Sequence, residues 1–365
     1  MNFKHKQQFV ITNKSEMMID SVLKEFGLNR EEVTIDPIHQ GLINHTWKIG
    51  VNGHAIILQN INSLVFKRPE DIAFNIAEIS LYLNKSNPEY FFVSPVKTFD
   101  GNELVHKNEY GYFRAFPFVK ESHTIDVVQT PSQAYEAACQ FGKFSAVLKQ
   151  FDCKKLKTTI PDFHDLSLRY AQFEEALRQG NNDRIKKAIV LIKQLKDCSD
   201  IVDIYEKIKR NNDFKLRVTH HDTKISNVLF DKNDKGICVI DLDTVMPGYF
   251  ISDVGDMIRT YLCPVSEEEQ DLSKIEIRKE FYDAIVSGYL HEMKDELTST
   301  EKNYFFYAGT FMIYMQALRF LTDYLNDDKY YGEKYSNHNL IRAGNQAELL
   351  KKYFEKEEIL TGIKI

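Results

Sequence analysis

The chain changes its hydrophobic rhythm once, near residue 120, and that change limits the folds open to it. Before it, runs rich in β-branched and aromatic residues occupy Val33–His39, Thr46–Val51 and Ala55–Gln59. Asn52-Gly53 separates the second run from the third, and this dipeptide suits the left-handed turn of a two-residue hairpin. Two more strands are expected near Val96–Phe99 and Gly111–Phe116, with Asp100-Gly101 as a turn. Ile19, Val22, Leu23 and Phe26 follow helical spacing and end at Gly27. Ile72, Ile76, Ile79 and Leu83 mark one face of a second helix over about residues 70–84.

After residue 120 apolar residues recur at three and four positions: Phe141, Phe144 and Leu148, then Leu166, Tyr170, Phe173 and Leu177, then Ile185, Ile189 and Ile192. This pattern breaks at 216–229 and 236–243, where short β-like pieces bracket polar residues. Ser266 with Glu269 reads as a capping box opening another helix. The whole predicts an α+β chain of 365 residues in two parts. A small antiparallel-sheet lobe covers 1–116, and a large, mainly helical lobe covers 117–365.

The net charge of −6 gives no general basic face, so nucleic acid is not an expected partner. The stretch from Tyr304 to Leu321 is nearly long enough to span a bilayer, but Gln316, Arg319 and several tyrosines inside it favour a buried helix. The N-terminus has no signal-peptide pattern, and five widely spaced cysteines suggest reduced thiols. A cytoplasmic protein without a membrane partner is therefore expected; nothing in the sequence sets its oligomeric state.

The chemistry concentrates in VTHHDTKISNVLFDKNDKGICVIDLDTVMPG, from Val218 to Gly248. Asn227 follows Asp222 by five residues, and Asp241 follows the apolar run Ile237–Ile240. A hairpin joining these pieces brings Asn227 beside Asp241. Phosphoryl transfer needs such a set: one carboxylate to align the nucleophilic hydroxyl, and hard oxygen ligands for Mg²⁺. Asp222 is assigned the first role, and Asn227 and Asp241 the second. Taken singly, each is an ordinary turn or cap residue; the joint spacing is what points to ATP and Mg²⁺. His220 reads as a support of the loop. Asp253 and Asp256 open a helix, where capping is expected.

The pattern resembles the aminoglycoside phosphotransferase and choline kinase superfamily, relatives of the protein kinases, and within it the N-acetylhexosamine 1-kinase branch. The narrower likeness rests on VTHHDTKISNVLFD, VIDLDTVMPG and SDVGDMIRTYL, with TTIPDFHD upstream and QALRFLTDYLNDDKYY and NLIRAGNQAELL downstream. It implies a bilobal kinase-like fold, an acceptor near Asp222, and phosphorylation of the anomeric hydroxyl of a GlcNAc- or GalNAc-like sugar. It also implies a phosphate loop at 39–44, containing Gly41, Leu42 and Asn44; an ordinary hairpin turn is the alternative there. Gln59 matches the third-strand lysine, and Lys67 or Arg68 is a candidate for the missing charge. Glu78 matches the helix glutamate of such folds or is a simple surface charge. Phe116 and Phe118 match the adenine-binding hinge or belong to the core. His221 stands where the superfamily commonly has glycine, which bears on the acceptor pocket. Arg319 either binds the acceptor or pairs with Asp323.

Rival acceptors are an aminoglycoside, choline or methylthioribose, and the acidic stretch 323–333 suits a cationic one. Gln59 and the single-glycine loop also leave open an inactive nucleotide-binding scaffold. A metal-dependent hydrolase built on His220, His221, Asp222 and Asp241 has no use for Asn227.

Overall fold

The computed structural model describes residues 13–38 and 43–362. The chain forms two compact units. The first comprises the described residues up to Ser80 with Val93–Lys120; the second comprises Leu81–Phe92 and the chain from Glu121 onward.

The first unit contains helix α1 (Asn13–Leu23) and strands β1 (Val33–Ile38), β2 (His45–Val51) and β3 (His54–Ile61). Helix α2 (Pro69–Ser86) follows, then β4 (Val105–Lys107) and β5 (Gly111–Pro117). The strands form one antiparallel sheet in the order β1-β2-β3-β5-β4. The β2–β3 turn is the expected one: Asn52 and Gly53 have φ of 47° and 76°, and Val51 pairs with His54. Alternation along β2 and β3 buries Trp47, Ile49 and Leu58, which pack with Ile19, Val22 and Leu23 of α1 and with Phe113 and Ala115 of β5. Gly27 ends the first helical segment at φ 68°, as its position predicts. The expected strand at 96–99 is absent. Val96 makes only an isolated bridge to Ala115, while the Thr98 and Phe99 amides donate to Asn102 and Glu25 carbonyls outside the sheet. The edge strand is instead β4, three residues long.

The second unit holds α3 (Pro131–Val147), α4 (Leu166–Gln179), α5 (Asn182–Lys187), α6 (Ile189–Asp197) and α7 (Asp200–Arg210). After these come β6 (Arg217–Thr219), β7 (Val228–Phe230), β8 (Gly236–Val239), β9 (Met246–Gly248) and α8 (Phe250–Tyr261). The C-terminal helices are α9 (Lys279–Met293), α10 (Ser299–Lys302), α11 (Phe305–Leu325), α12 (His338–Glu355) and α13 (Glu357–Thr361). The apolar stretch from 304 becomes α11, buried against α4, α8 and α12. Among the described residues no helix is long and apolar enough to cross a membrane. The helical run at 185–192 breaks at Ala188, which leaves Ile189 exposed. Ser266 opens a turn rather than a helix: its carbonyl accepts from the Glu269 amide, and the next helix waits until Lys279.

Two short sheets shape the centre of this unit. Strand β6 pairs with β9, and β7 with β8. They present the loop between β6 and β7 and the segment between β8 and β9 on the start of α8.

Candidate active site

The loop from His220 to Asn227 is pinned by backbone donors meeting buried carboxylates. Asp253 accepts from the His220 and His221 amides at 3.1 and 2.7 Å, and Asp256 accepts from the Thr223 amide at 2.9 Å. The Thr223 hydroxyl donates to the Asp253 carbonyl at 2.7 Å, and the Tyr261 hydroxyl donates to the Thr223 carbonyl at 2.5 Å. Both aspartates therefore anchor the loop rather than cap their own helix, which corrects the sequence expectation. Burial pushes the Asp253 carboxyl up to about 7, against the pull of its two N–H donors.

His220 is fully buried, with Phe141 and Phe144 edge-on to its ring. The Asp222 amide approaches Nδ1 at 3.4 Å, so Nε2 carries the proton donated to the Ile240 carbonyl at 2.9 Å. Burial lowers its pKa and keeps the ring neutral. His220 thus ties the loop to the end of β8, the supporting role read from the sequence.

The β7–β8 hairpin forms and sets Asn227 against Ile240, the chain neighbour of Asp241. The Ile240 amide donates to the Asn227 carbonyl at 2.9 Å, one position before Asp241. Asp241 then turns the chain with φ 61°. The Asn227 amide group donates to the Asp222 carbonyl at 2.9 Å, so its Nδ2 is engaged and its Oδ1 is the acceptor end. An amide oxygen and a carboxylate are hard donors of the kind Mg²⁺ prefers. Among the described residues no group of three His, Cys, Asp or Glu side chains converges as a metal site.

Lys224, not singled out in the sequence, lies 2.9 Å from Asp222. Burial would raise the Asp222 carboxyl, but the Lys224 ammonium and the Asn227 amide outweigh it and hold its pKa below the usual carboxylate value. Burial opposes the Lys224 charge, and Asp222 and Asp241 more than restore it. Asp222 is therefore ionised at neutral pH, suited to accepting a hydroxyl hydrogen bond.

His221 has φ 66°, the left-handed region where glycine is unstrained. Its side chain has been given a place. Gly248 leaves room for it, since a Cβ there would sit 2.5 Å from Cε1. The Ser252 hydroxyl lies 2.8 Å from His221 Nδ1 and 2.5 Å from His164 Nδ1. Burial draws the His221 imidazole down to about 4, so it stays neutral.

This chain of contacts leads to Arg319. His164 stacks on Phe163 at 4.3 Å, and the Arg319 guanidinium lies 5.6 Å from the Phe163 ring. Tyr331 and Tyr330 flank the same guanidinium at 5.5 and 5.9 Å, and Arg319 donates to Gln316 at 3.2 Å. Among the described residues it has no carboxylate partner. Asp323, the expected one, instead accepts the Tyr330 and Tyr331 amides at 2.7 and 2.8 Å and the Asn339 side chain at 3.1 Å. Asp328 pairs with Arg184, and Glu267 joins Arg259 to Arg342. Phe163 and His164 lie in TTIPDFHD, and Tyr330 and Tyr331 in QALRFLTDYLNDDKYY; their membership of those stretches is the signal that sequence offered.

In the first unit, Gln59 accepts a hydrogen bond from Arg114 Nε at 3.0 Å. Arg68 pairs with Asp71 at 3.1 Å, so it is engaged at the start of α2. Asn44 Oδ1 accepts the Asn62 amide at 3.0 Å. Phe116 lies 5.0 Å from the Arg114 guanidinium, and Phe118 lies 3.9 Å from the Lys48 ammonium. Gly41 and Leu42 fall outside the described residues.

Known structures share this fold. An amicoumacin kinase in complex with AMP-PNP, Ca²⁺ and Ami is 14% identical, with 95% of this chain and 96% of that one covered and a TM-score of 0.64. A microcompartment-associated aminopropanol kinase is 15% identical over 95% and 98%, with a TM-score of 0.62. A Plasmodium vivax ethanolamine kinase is 14% identical over 94% and 91%, with a TM-score of 0.60. The sequence profile of the phosphotransferase enzyme family (APH) matches residues 34–291, well over half the chain and the whole of the loop, hairpin and helix just described. The chain belongs to the phosphotransferase enzyme family.

Proposed function

We propose that this phosphotransferase moves the γ-phosphate of ATP to the anomeric hydroxyl of an N-acetylhexosamine, giving the sugar 1-phosphate. The observation that supports the phosphoryl-transfer chemistry is the Ile240–Asn227 backbone bond, which joins the segment carrying Asp222 and Asn227 to the one that leads into Asp241. In this reading Asp222 accepts the hydrogen bond of the sugar hydroxyl and takes its proton as the new O–P bond forms and the β–γ bond breaks. A depressed carboxyl pKa suits that task, because a loose transition state asks for alignment more than for a strong base. Asn227 Oδ1 and Asp241 would hold Mg²⁺, which when bound neutralises phosphate charge. Gly41, Leu42, Asn44, Gln59, Phe116 and Phe118 remain the proposed nucleotide contacts, and His221 and Arg319 the proposed acceptor contacts.

Charge is the support for the acceptor class. Choline, ethanolamine and aminoglycosides bring ammonium groups, which need carboxylates or a vacant aromatic face. The carboxylates Asp323, Asp328 and Glu267 are already engaged, and the aromatic faces of Phe163, Tyr330 and Tyr331 already meet Arg319. A guanidinium in that setting offers donors to hydroxyl and amide oxygens and repels ammonium. This favours a neutral, oxygen-rich sugar, in line with the sequence likeness to the hexosamine branch.

A panel of GlcNAc, GalNAc, choline, ethanolamine and kanamycin, each with ATP and Mg²⁺, tests the proposal when product is read by ³¹P and ¹H NMR. A hexosamine 1-phosphate is expected. Phosphorylation of kanamycin or choline with neither hexosamine touched would overturn the sugar assignment.

A further inference from the structure

We infer that Gln59 and Arg114 act as one phosphate-binding pair, in which Arg114 supplies the positive charge and Gln59 the directed N–H donors. The inference rests on the nucleotide reading above, since its ligand is the triphosphate. It answers how the sheet binds phosphate without a lysine at position 59.

The two residues are cross-strand partners. Gln59 of β3 sits directly opposite Arg114 of β5 in an antiparallel pair, so their side chains leave the sheet on the same face. Leu58 and Ala115, the next partners, leave on the other face and are buried in the apolar core. Arg114 is only 2% exposed, and its guanidinium packs 5.0 Å from the Phe116 ring. This sheet therefore carries a fixed, shielded cation on the same face as Gln59.

The hydrogen bond between them settles which end of the amide faces a ligand. A guanidinium has donors only, so the Gln59 atom 3.0 Å from Arg114 Nε must be the carbonyl oxygen. The amide nitrogen then points away from Arg114. Among the described residues it meets the Thr46 hydroxyl at 3.5 Å, a long contact that a phosphate oxygen displaces at little cost. Charge-assisted bonding at the oxygen polarises the amide and strengthens its N–H groups as donors. Gln59 is thus the contact residue, and Arg114 the positioning residue that orients it. A lysine at 59 would push a second cation against Arg114, so glutamine is the residue that this partner permits.

The test compares ATP, in the presence of Mg²⁺, with adenosine, which lacks phosphate, by calorimetric titration of the full chain. Gln59→Lys and Arg114→Met should each weaken ATP about tenfold, with adenosine affinity unchanged. The double variant should return to within about threefold of the wild type, because the lysine then replaces the arginine charge. Gln59→Glu keeps a partner for Arg114 but removes the donors; it should lose ATP affinity by about tenfold or more while its melting temperature holds or rises. Additive losses in the double variant, equal losses of ATP and adenosine, or unchanged ATP affinity in Gln59→Glu would each overturn the pair. Wild-type protein that binds no ATP would overturn the nucleotide reading itself, and the pair with it.

Discussion

In the loop from His220 to Asn227 charged groups are held by the backbone: amides of His220, His221 and Thr223 meet the carboxylates of Asp253 and Asp256. In the sheet of the first unit the charge of Arg114 is held by a side chain, the amide of Gln59. The surroundings of Arg319 resemble the sheet, with side chains from three separate stretches meeting one guanidinium. The difference teaches where substitution is tolerated. A group fixed by backbone amides keeps its place when its neighbours change. A group fixed by another side chain depends on that partner, and a matched double change can restore it.

The largest effect should come from the loop. Asp222→Asn is expected to lower kcat by about a thousandfold or more, the scale of a lost acid–base group, with the KM for ATP unchanged. Steady-state kinetics at saturating acceptor measure it; a loss under tenfold would mean that Asp222 is not the catalytic carboxylate. The anchor behind the loop comes next. Arg259 lies 3.1 Å from Asp256 and 2.8 Å from Glu267, mostly buried. Arg259→Met leaves the buried Asp256 carboxylate without its cation, while Glu267 keeps Arg342, and should destabilise the second unit by about 3 kcal/mol in urea unfolding. A smaller effect is expected at the acceptor face, where Arg319→Met should raise the acceptor KM about thirtyfold and leave ATP binding intact. An ATP affinity that fell in parallel would remove Arg319 from the acceptor.

The smallest effect is a pH dependence. The Asp253 carboxyl sits at about 7 in the folded chain, above the roughly 3.9 of an unfolded one. The folded state then holds this proton more tightly, so the stabilisation is complete below about pH 4 and is lost as pH rises through 7. Between about pH 6 and 8 the wild type should lose about 1 kcal/mol of stability, a slope absent in Asp253→Asn. Parallel pH profiles for the two would show that Asp253 is ionised throughout.

The same contrast decides what was legible in the sequence. Asp222, Asn227 and Asp241 stand close together along the chain, and the strand between the last two fixes their register; spacing alone exposes them. The β2–β3 hairpin was legible for the same reason, since Asn52-Gly53 dictates its own turn. Lys224 lies within the same window, and a lysine two residues from the proposed catalytic carboxylate is a local signal too. Arg114 was hidden, because its link to Gln59 comes from strand order, which the short edge strand β4 and the irregular backbone at 96–99 obscured. The His221–Ser252–His164 contacts and the ring of aromatics around Arg319 depend on the packing of α8 and α11, which no short spacing encodes. Asp253 and Asp256 were visible as residues, but their task was not, because a carboxylate near a helix start looks the same whether it caps that helix or holds a neighbouring loop.

The division of labour within the loop is the central claim, and a Mg²⁺ titration of turnover in Asp222→Asn and Asp241→Asn tests it most directly. Asp241→Asn should shift the half-saturating Mg²⁺ concentration upward by about tenfold or more and recover part of its activity in excess metal. Asp222→Asn should keep the wild-type Mg²⁺ dependence and stay inactive at every concentration. Equal, mild losses in both variants, with the same metal dependence, would contradict the roles given to these two carboxylates.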